Sequence, residues 1–183
     1  MELEIRTLTE IGGVNSQVYL RPIVDSDTEH IVRWRNNETV RSHFIFREPF
    51  TVDMHRNWLK INIDTKKAIQ YIIEDSGNNL PIGSVYIKDI DRYNRSGEFG
   101  IFIGEELYRN KGIGTEAAKL FVRYCFQIGF HRIFLRVLSQ NAAAIKSYAK
   151  AGFKQEGLFR DMELLDGTYK DVVFMSILES ETG

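Results

Sequence analysis

The stretch from Gly97 to Ala118 constrains this chain more than any other. Glu98 to Ile103 is an apolar strand pattern, Arg109-Asn110-Lys111-Gly112-Ile113-Gly114 is a basic turn holding two glycines, and a long amphipathic helix begins near Thr115. Strand, turn and helix start together make an anion site. The first turn of a helix carries unpaired backbone N–H groups and a partial positive charge. Glycine lets a diphosphate approach the backbone closely, and Arg109 and Lys111 add charge beside it. The turn is not a nucleotide-triphosphate loop, because no Gly-Lys-Ser/Thr follows four residues after a first glycine, and it lacks the third glycine of the dinucleotide fingerprint. Read alone, it also fits a surface turn in front of a helix.

The rest of the composition narrows the setting. The chain has 183 residues, 43% of them apolar and 27% charged, with a net charge of −1. That length suits one domain, residues 1–183, with a real core. The near-zero charge argues against nucleic acid as an electrostatic partner. A single cysteine, Cys125, excludes an internal disulfide and a multi-cysteine zinc site; it sits mid-helix among apolar residues and is expected in the core. No metal site is expected. No run of 18 apolar residues exists for a membrane span, and the first residues carry no apolar signal core, so a cytoplasmic protein is expected.

Periodicity divides the chain. Glu2 to Leu8 and Gln17 to Ile23 read as strands that could pair as a hairpin across Gly12-Gly13. Asp25-Ser26-Asp27 starts a short helix carrying Ile31, Val32 and Trp34 and ending at Asn36-Asn37. A second short helix runs from Glu38 to about Phe44. After Pro49 a third starts at Thr51 or Asp53, with Met54, Trp58, Leu59 and Ile61 as its apolar face. Beyond Asp64 the period becomes that of strands. Ile69 to Glu74, Leu80 to Ile90 and Gly97 to Ile103 form an antiparallel meander, with a turn at residues 75–79. The helix from Thr115 to about Ile128 carries Ala117, Phe121, Tyr124 and Ile128 on one face, and Gly129 ends it. The strand Arg132 to Leu138 follows and should lie parallel to Glu98–Ile103, since a helix joins them. Asn141 starts a helix that Gly152 ends. Phe153 to Met162 and Tyr169 to Leu178 close the chain as a hairpin about Asp166-Gly167. The expected class is α+β.

Two motifs then fall where one known family has them. Arg109-x-x-Gly112-x-Gly114, between a strand and a long helix, resembles the acyl-CoA pyrophosphate loop of the GNAT superfamily of N-acetyltransferases. Asn141-x-x-Ala144-x-x-x-Tyr148-x-x-x-Gly152-Phe153 is similar to a second helix of the same family. The order of elements resembles that fold over most of the chain, most closely from about Ile82 to Met175. The Leu20-Arg21-Pro22, Glu98-Phe99-Gly100 and Glu156-Gly157 segments resemble the branch holding ribosomal-protein N-terminal, diamine and amino-sugar acetyltransferases. Trp34-Arg35-Asn36 with His55-x-x-Trp58 looks like enzymes acting on nucleotide-linked amino sugars. The stretch from Asn36-Asn37 to Phe46-Arg47-Glu48-Pro49-Phe50 is similar to spermidine acetyltransferases.

The resemblance implies a mixed, mostly antiparallel central sheet with one parallel strand pair, flanked by helices. It implies direct acetyl transfer from acetyl-CoA, the cosubstrate, to a primary amine in a ternary complex. A backbone N–H within Gly100, Ile101, Phe102 and Ile103 would hold the acetyl oxygen. Arg109, Asn110 and the amides of Lys111, Gly112, Ile113 and Gly114, with Thr115 beside them, would hold the pyrophosphate. Asn141 would touch the pantetheine arm, or simply cap its helix. Tyr148 would be the general acid, or a core tyrosine. Glu98 would be the general base, a solvated strand residue or a partner of Arg95. His43 and His55 are further base candidates, and Glu38, Glu48, Asp161 and Glu163 could bind a cationic acceptor. Trp34, Phe44, Phe46, Phe50 and Trp58 would form either a core or a cleft wall. Three acceptors compete: a protein N-terminus, a polyamine and a nucleotide-linked amino sugar, the last favoured by Arg35, Arg41, Arg47 and Arg56. A non-catalytic acyl-CoA sensor on the same fold is the alternative, and the closing hairpin leaves a homodimer open.

Overall fold

Branched and aromatic residues crowd residues 69–103 and 132–178, and these become the sheet. The computed structural model describes residues 3–5 and 9–181. Eight strands form one sheet: β1 (Ile11–Gly12), β2 (Val18–Pro22), β3 (Ile69–Asp75), β4 (Pro81–Asp91), β5 (Ser96–Ile103), β6 (Arg132–Leu138), β7 (Lys154–Leu165) and β8 (Thr168–Leu178). Their spatial order is β1-β2-β3-β4-β5-β6-β8-β7. Neighbours are antiparallel except β5 and β6, which are parallel. The expected architecture, a mostly antiparallel sheet with one parallel pair and flanking helices, is present.

The helices are α1 (Thr28–Asn36), α2 (Glu38–Arg41), α3 (Val52–Trp58), α4 (Ile113–Gln127) and α5 (Ala142–Ala151). Period-2 alternation sorts the strand side chains onto two covered faces. Tyr71, Ile73, Val85, Ile87 and Phe99 join Phe121, Cys125 and Phe130 in one cluster, against which Tyr148 of α5 also packs. Ile72 and, half-buried, Phe102 meet Ile31 and Trp34 of α1 on the opposite face. Burial on both faces explains why β3 reads as a near-continuous apolar run. Cys125 is fully buried, as expected. No helix among the described residues is long and apolar enough to cross a membrane.

Three expectations about the N-terminal third need correction. The strand expected over Glu2 to Leu8 falls partly outside the described residues; residues 3–5 are not strand, although Leu3 and Ile5 are buried. The partner of β2 on that side is the two-residue β1. The second helix stops at Arg41 rather than Phe44, because Arg47 folds the following segment back through bonds to the Ser42 and Phe44 carbonyls. The third helix turns a different face inward. His55 is its buried residue, while Met54 and Ile61 are 38% and 46% exposed.

One close approach fixes how α1 meets the sheet. A Cβ on Gly104 would lie 2.2–2.3 Å from Cγ, Cδ1 and Cδ2 of Trp34. That indole is itself fully buried, and its Nε1 donates to Glu105 at 2.8 Å. With no room for the ring to swing, Gly104→Ala is expected to destabilise the protein by about 1–3 kcal/mol through overpacking. A urea unfolding midpoint unchanged from wild type would refute this reading of the contact.

Candidate active site

The basic turn leads directly into α4, where the sequence suggests an anion site. Asn110 and Gly112 take positive φ, 59° and 83°, and nothing lies within 4 Å of a Cβ placed on Gly112. The first α4 hydrogen bond runs from Glu116 N to Gly112 O at 3.0 Å. The amides of Ile113, Gly114 and Thr115 therefore precede the helical ladder and stay available. The side chain of Ile113 is buried, so only its backbone can serve a ligand. Arg109 differs from expectation. Its Nε and Nη2 donate to the Ile103 and Gly104 carbonyls at 3.1 and 2.8 Å, which fixes the loop between β5 and α4. Thr115 is likewise engaged, its Oγ1 2.7 Å from Ser147 Oγ of α5.

Beside this loop the sheet opens. β5 and β6 pair only at Ser96–Arg132, Gly97–Ile133 and Glu98–Phe134; β6 then continues along β8 to Leu138. Antiparallel pairing alternates which backbone groups face the neighbouring strand. Gly104 N donates to Ile82 O of the β4 side at 2.8 Å, and Val85–Ile101 and Ser84–Phe102 are paired positions. The amides of Gly100 and Phe102 therefore point toward β4. Those of Ile101 and Ile103 point into the opening, within the stretch where a donor to the acetyl oxygen is expected.

A cleft of about 970 Å³ runs through this opening, lined on one side by Tyr148 and Asn141 and on the other by Arg35, Tyr86 and Glu98. Asn141 caps α5, its side chain accepting from Ala144 N at 3.2 Å, and it also lines the cleft. Tyr148 stands edge-on to Phe99, 6.1 Å between centroids, and to Phe153 at 6.0 Å. Burial, then the neighbouring Tyr86, push its phenol above the ordinary value.

The opposite wall is cationic. Glu98 lies in the cleft, but its partner is not Arg95. Arg136 of β6 binds it through Nε–Oε1 and Nη2–Oε2, each 3.1 Å, and Lys88 Nζ stands 3.3 Å from Oε2. The parallel strand supplies the cation, which sequence proximity had assigned to a turn. Arg35 has its guanidinium carbon 3.8 Å from the Phe44 ring centroid and 5.0 Å from that of Phe50. It donates to the Phe46 carbonyl at 3.3 Å, and no carboxylate lies within ion-pair distance of it among the described residues. Burial pulls its pKa below the usual guanidinium value, without discharging it.

The remaining expected residues divide. Phe44, Phe46, Phe50, Trp58, His43 and His55 line the cleft, whereas Trp34 is core. Trp58 Nε1 donates to Gln70 Oε1 at 2.9 Å. His55 Nδ1 lies 2.9 Å from Thr28 Oγ1, and its Nε2 is buried without a partner. Burial lowers its pKa to about 4. Glu38, Glu48, Asp161 and Glu163 do not line the cleft; Glu163 stands 3.8 Å from Arg136. Arg47 ties its loop to Asp166 of the closing hairpin at 2.5 Å, and Arg56 pairs with Asp25 at 3.4 Å. Tyr86 escaped the sequence reading; only the register that sets it opposite Gly100 brings it into the site.

The chain was compared with known proteins. Residues 17–154 match the model of the acetyltransferase (GNAT) domain. A spermidine N(1)-acetyltransferase of Vibrio cholerae serotype O1 is 32% identical over 170 residues, covering 92% of this chain and 96% of that one. The crystal structure of spermidine N-acetyltransferase from Vibrio cholerae, in complex with CoA and spermine, superposes with a TM-score of 0.84 at 29% identity, covering 91% and 98% of the two chains. A dodecameric structure of that enzyme, in an intermediate state, gives a TM-score of 0.77 at 29% identity, covering 91% and 96%.

Proposed function

This chain belongs to the GNAT acetyltransferase family, and from that premise we propose that it acetylates an amine whose own molecule carries negative charge, a nucleotide-linked amino sugar fitting best. The coarser statement stands on the family: the chain is an acetyl-CoA-dependent N-acetyltransferase. Arg35 carries the finer one. A guanidinium lying over two phenyl rings, with a backbone carbonyl and, among the described residues, no carboxylate beside it, suits an anion. Lys88 and Arg136 line the same wall, and Glu98, which both of them hold, is the one carboxylate among the described lining residues. Phe44, Phe46, Phe50 and Trp58 add flat apolar surface for a sugar or base.

The site's residues fit acetyl-CoA. The free amides of Ile113, Gly114 and Thr115, the open space at Gly112 and the positive end of α4 suit a pyrophosphate. Asn110 and Asn141 line the same cleft, Lys111 adds charge from the exposed turn before α4, and Arg109 holds the loop in shape. When bound, acetyl-CoA supplies an activated acetyl thioester. The Ile101 and Ile103 amides would then stabilise negative charge on the acetyl oxygen. Tyr148 would give its proton to the departing sulfur, and Glu98, through water, would receive the one the amine sheds. Charge-assisted bonds from Arg136 and Lys88 keep Glu98 fixed in place.

A second reading is a polyamine acceptor, favoured by the spermidine acetyltransferases this chain resembles. A polyamine needs several carboxylates, and this wall offers one that is already paired. CoA release with a UDP-linked amino sugar, spermidine and an N-terminal peptide separates the readings. Turnover of the sugar nucleotide is expected, with Arg35→Ala raising its KM by about 10-fold to 100-fold, the range of one charged hydrogen bond. Saturable spermidine acetylation indifferent to Arg35→Ala would overturn it. The β7–β8 hairpin bears half-exposed Leu158, Phe159, Met162, Leu164 and Tyr169. A homo-oligomer is therefore part of this proposal, supported by the dodecameric relative.

A further inference from the structure

Tyr86 and Tyr148 reach the opening between β5 and β6 from opposite faces of the sheet. Tyr148 belongs to α5 and packs on Phe99. Tyr86 belongs to β4, on the face shared by Gln70, Glu98 and Phe102, and is paired across the ladder with Gly100. Gly100 leaves the space that Tyr86 occupies: a Cβ there would lie 2.3 Å from Tyr86 Cζ and 2.4 Å from Oη. The hydroxyl thus hangs over the residue next to Ile101, whose amide faces the opening. Both phenols line the cleft, and neither hydroxyl has a hydrogen-bond partner among the described residues. Burial raises the Tyr86 phenol, while Arg35 and Lys88 pull it down and Glu98 pushes it up. Tyr86 therefore stands where the cationic acceptor wall meets the acetyl position.

We propose that Tyr86 holds the acceptor's reacting nitrogen: its phenol oxygen accepts a hydrogen bond from the amine N–H and turns the nitrogen lone pair toward the acetyl carbon. The proposal rests on N-acetyl transfer, not on the acceptor's charge. The bonds balance without Tyr86 changing protonation. The N–C bond forms as the C–S bond breaks. The nitrogen sheds one proton to water on the Glu98 side, the sulfur takes one from Tyr148, and solvent restores Tyr148. Tyr86 contributes orientation, the term that a misplacement of about 1 Å can reduce 10²-fold. The packing role of its ring on Gly100 is separate, because phenylalanine would fill it equally well.

The test uses two variants. Tyr86→Phe keeps the ring and removes the hydroxyl; Gly100→Ala keeps the hydroxyl and displaces it. Initial rates are measured with the UDP-linked amino sugar, with spermidine, and with hydroxylamine, which is small enough for any amine site. Each variant should lower kcat/KM for the amine about 10-fold to 100-fold, with the Kd for acetyl-CoA within about twofold of wild type. Tyr86→Phe retaining kcat/KM within twofold overturns the proposal. Wild-type turnover on none of the probes overturns it as well, since an amine site built on Tyr86 must accept the smallest amine. An effect of Tyr86→Phe without one from Arg35→Ala would remove the anionic-acceptor reading and leave this one standing.

Discussion

Replacing Tyr148 by phenylalanine is expected to lower kcat by about 10²-fold to 10³-fold, within the range of a lost general acid, while acetyl-CoA binds with unchanged affinity. The ring's contacts with Phe99 and Phe153 survive the change, so the loss is confined to the hydroxyl. Burial and the neighbouring Tyr86 hold that phenol above its ordinary value. It therefore keeps its proton throughout the neutral range and, on the proposed mechanism, would give it up only as charge develops on the sulfur. The rate should consequently show no alkaline loss from this group below about pH 10, the ordinary phenol value. Single-turnover CoA release, with acetyl-CoA affinity measured separately, checks both parts. A variant within threefold of wild type in kcat would remove Tyr148 from the acid role.

The second large effect concerns stability. His55 is buried to 1% exposure and its pKa is lowered to about 4, against about 6.5 in an unfolded chain. Between those values the unfolded state binds a proton that the folded state refuses. Stability from this group is complete above pH 6.5 and is lost as pH falls toward 4, by about 3 kcal/mol over the window. Asp27 acts lower. Burial raises its carboxyl, but Arg21, with both oxygens at 2.7 Å, and the Val24 amide at 2.9 Å outweigh that and leave it below the usual range. Its contribution is present above the ordinary carboxylate pKa and disappears in more acidic solution. Urea unfolding from pH 7 to pH 4 should show the His55 slope, and His55→Leu, which cannot titrate, should flatten it. An equally steep variant would assign the slope elsewhere.

The middle of the chain was legible because local signals agree there. The β5–turn–α4 stretch and the Asn141-to-Gly152 helix carry their own start and stop residues. Asn141 caps and Gly152 ends the second helix at φ 106°, as the sequence indicates. The cationic wall was less legible, because it is assembled from distant strands. Arg136 reaches Glu98 only through the short parallel pairing of β5 and β6. Tyr86 enters the site only because it faces Gly100. His55 was read as a candidate base off an apolar face of Met54, Trp58, Leu59 and Ile61, whereas the face turned inward is His55 with Trp58 and Leu59. Packing against Thr28 and Phe50 decided between them. Arg109 was placed by its motif but not by its bonds, which go to the protein's own carbonyls.

The departure of β6 from β5 after three paired positions leaves an unpaired strand edge inside the sheet. Proteins usually blunt an outer edge with charge, proline or a bulge. Here the edge lies in the interior, and its amides are the ones proposed to meet the acetyl oxygen, so those devices would obstruct the proposed site. On the proposed mechanism the acetyl-CoA that occupies the gap would complete the sheet's hydrogen bonding as well as supply the acetyl group. By mass action a ligand present at a hundredfold excess over its Kd stabilises the fold by roughly 2.7 kcal/mol. If the cosubstrate binds there, its concentration sets the stability of the fold as well as the rate of transfer.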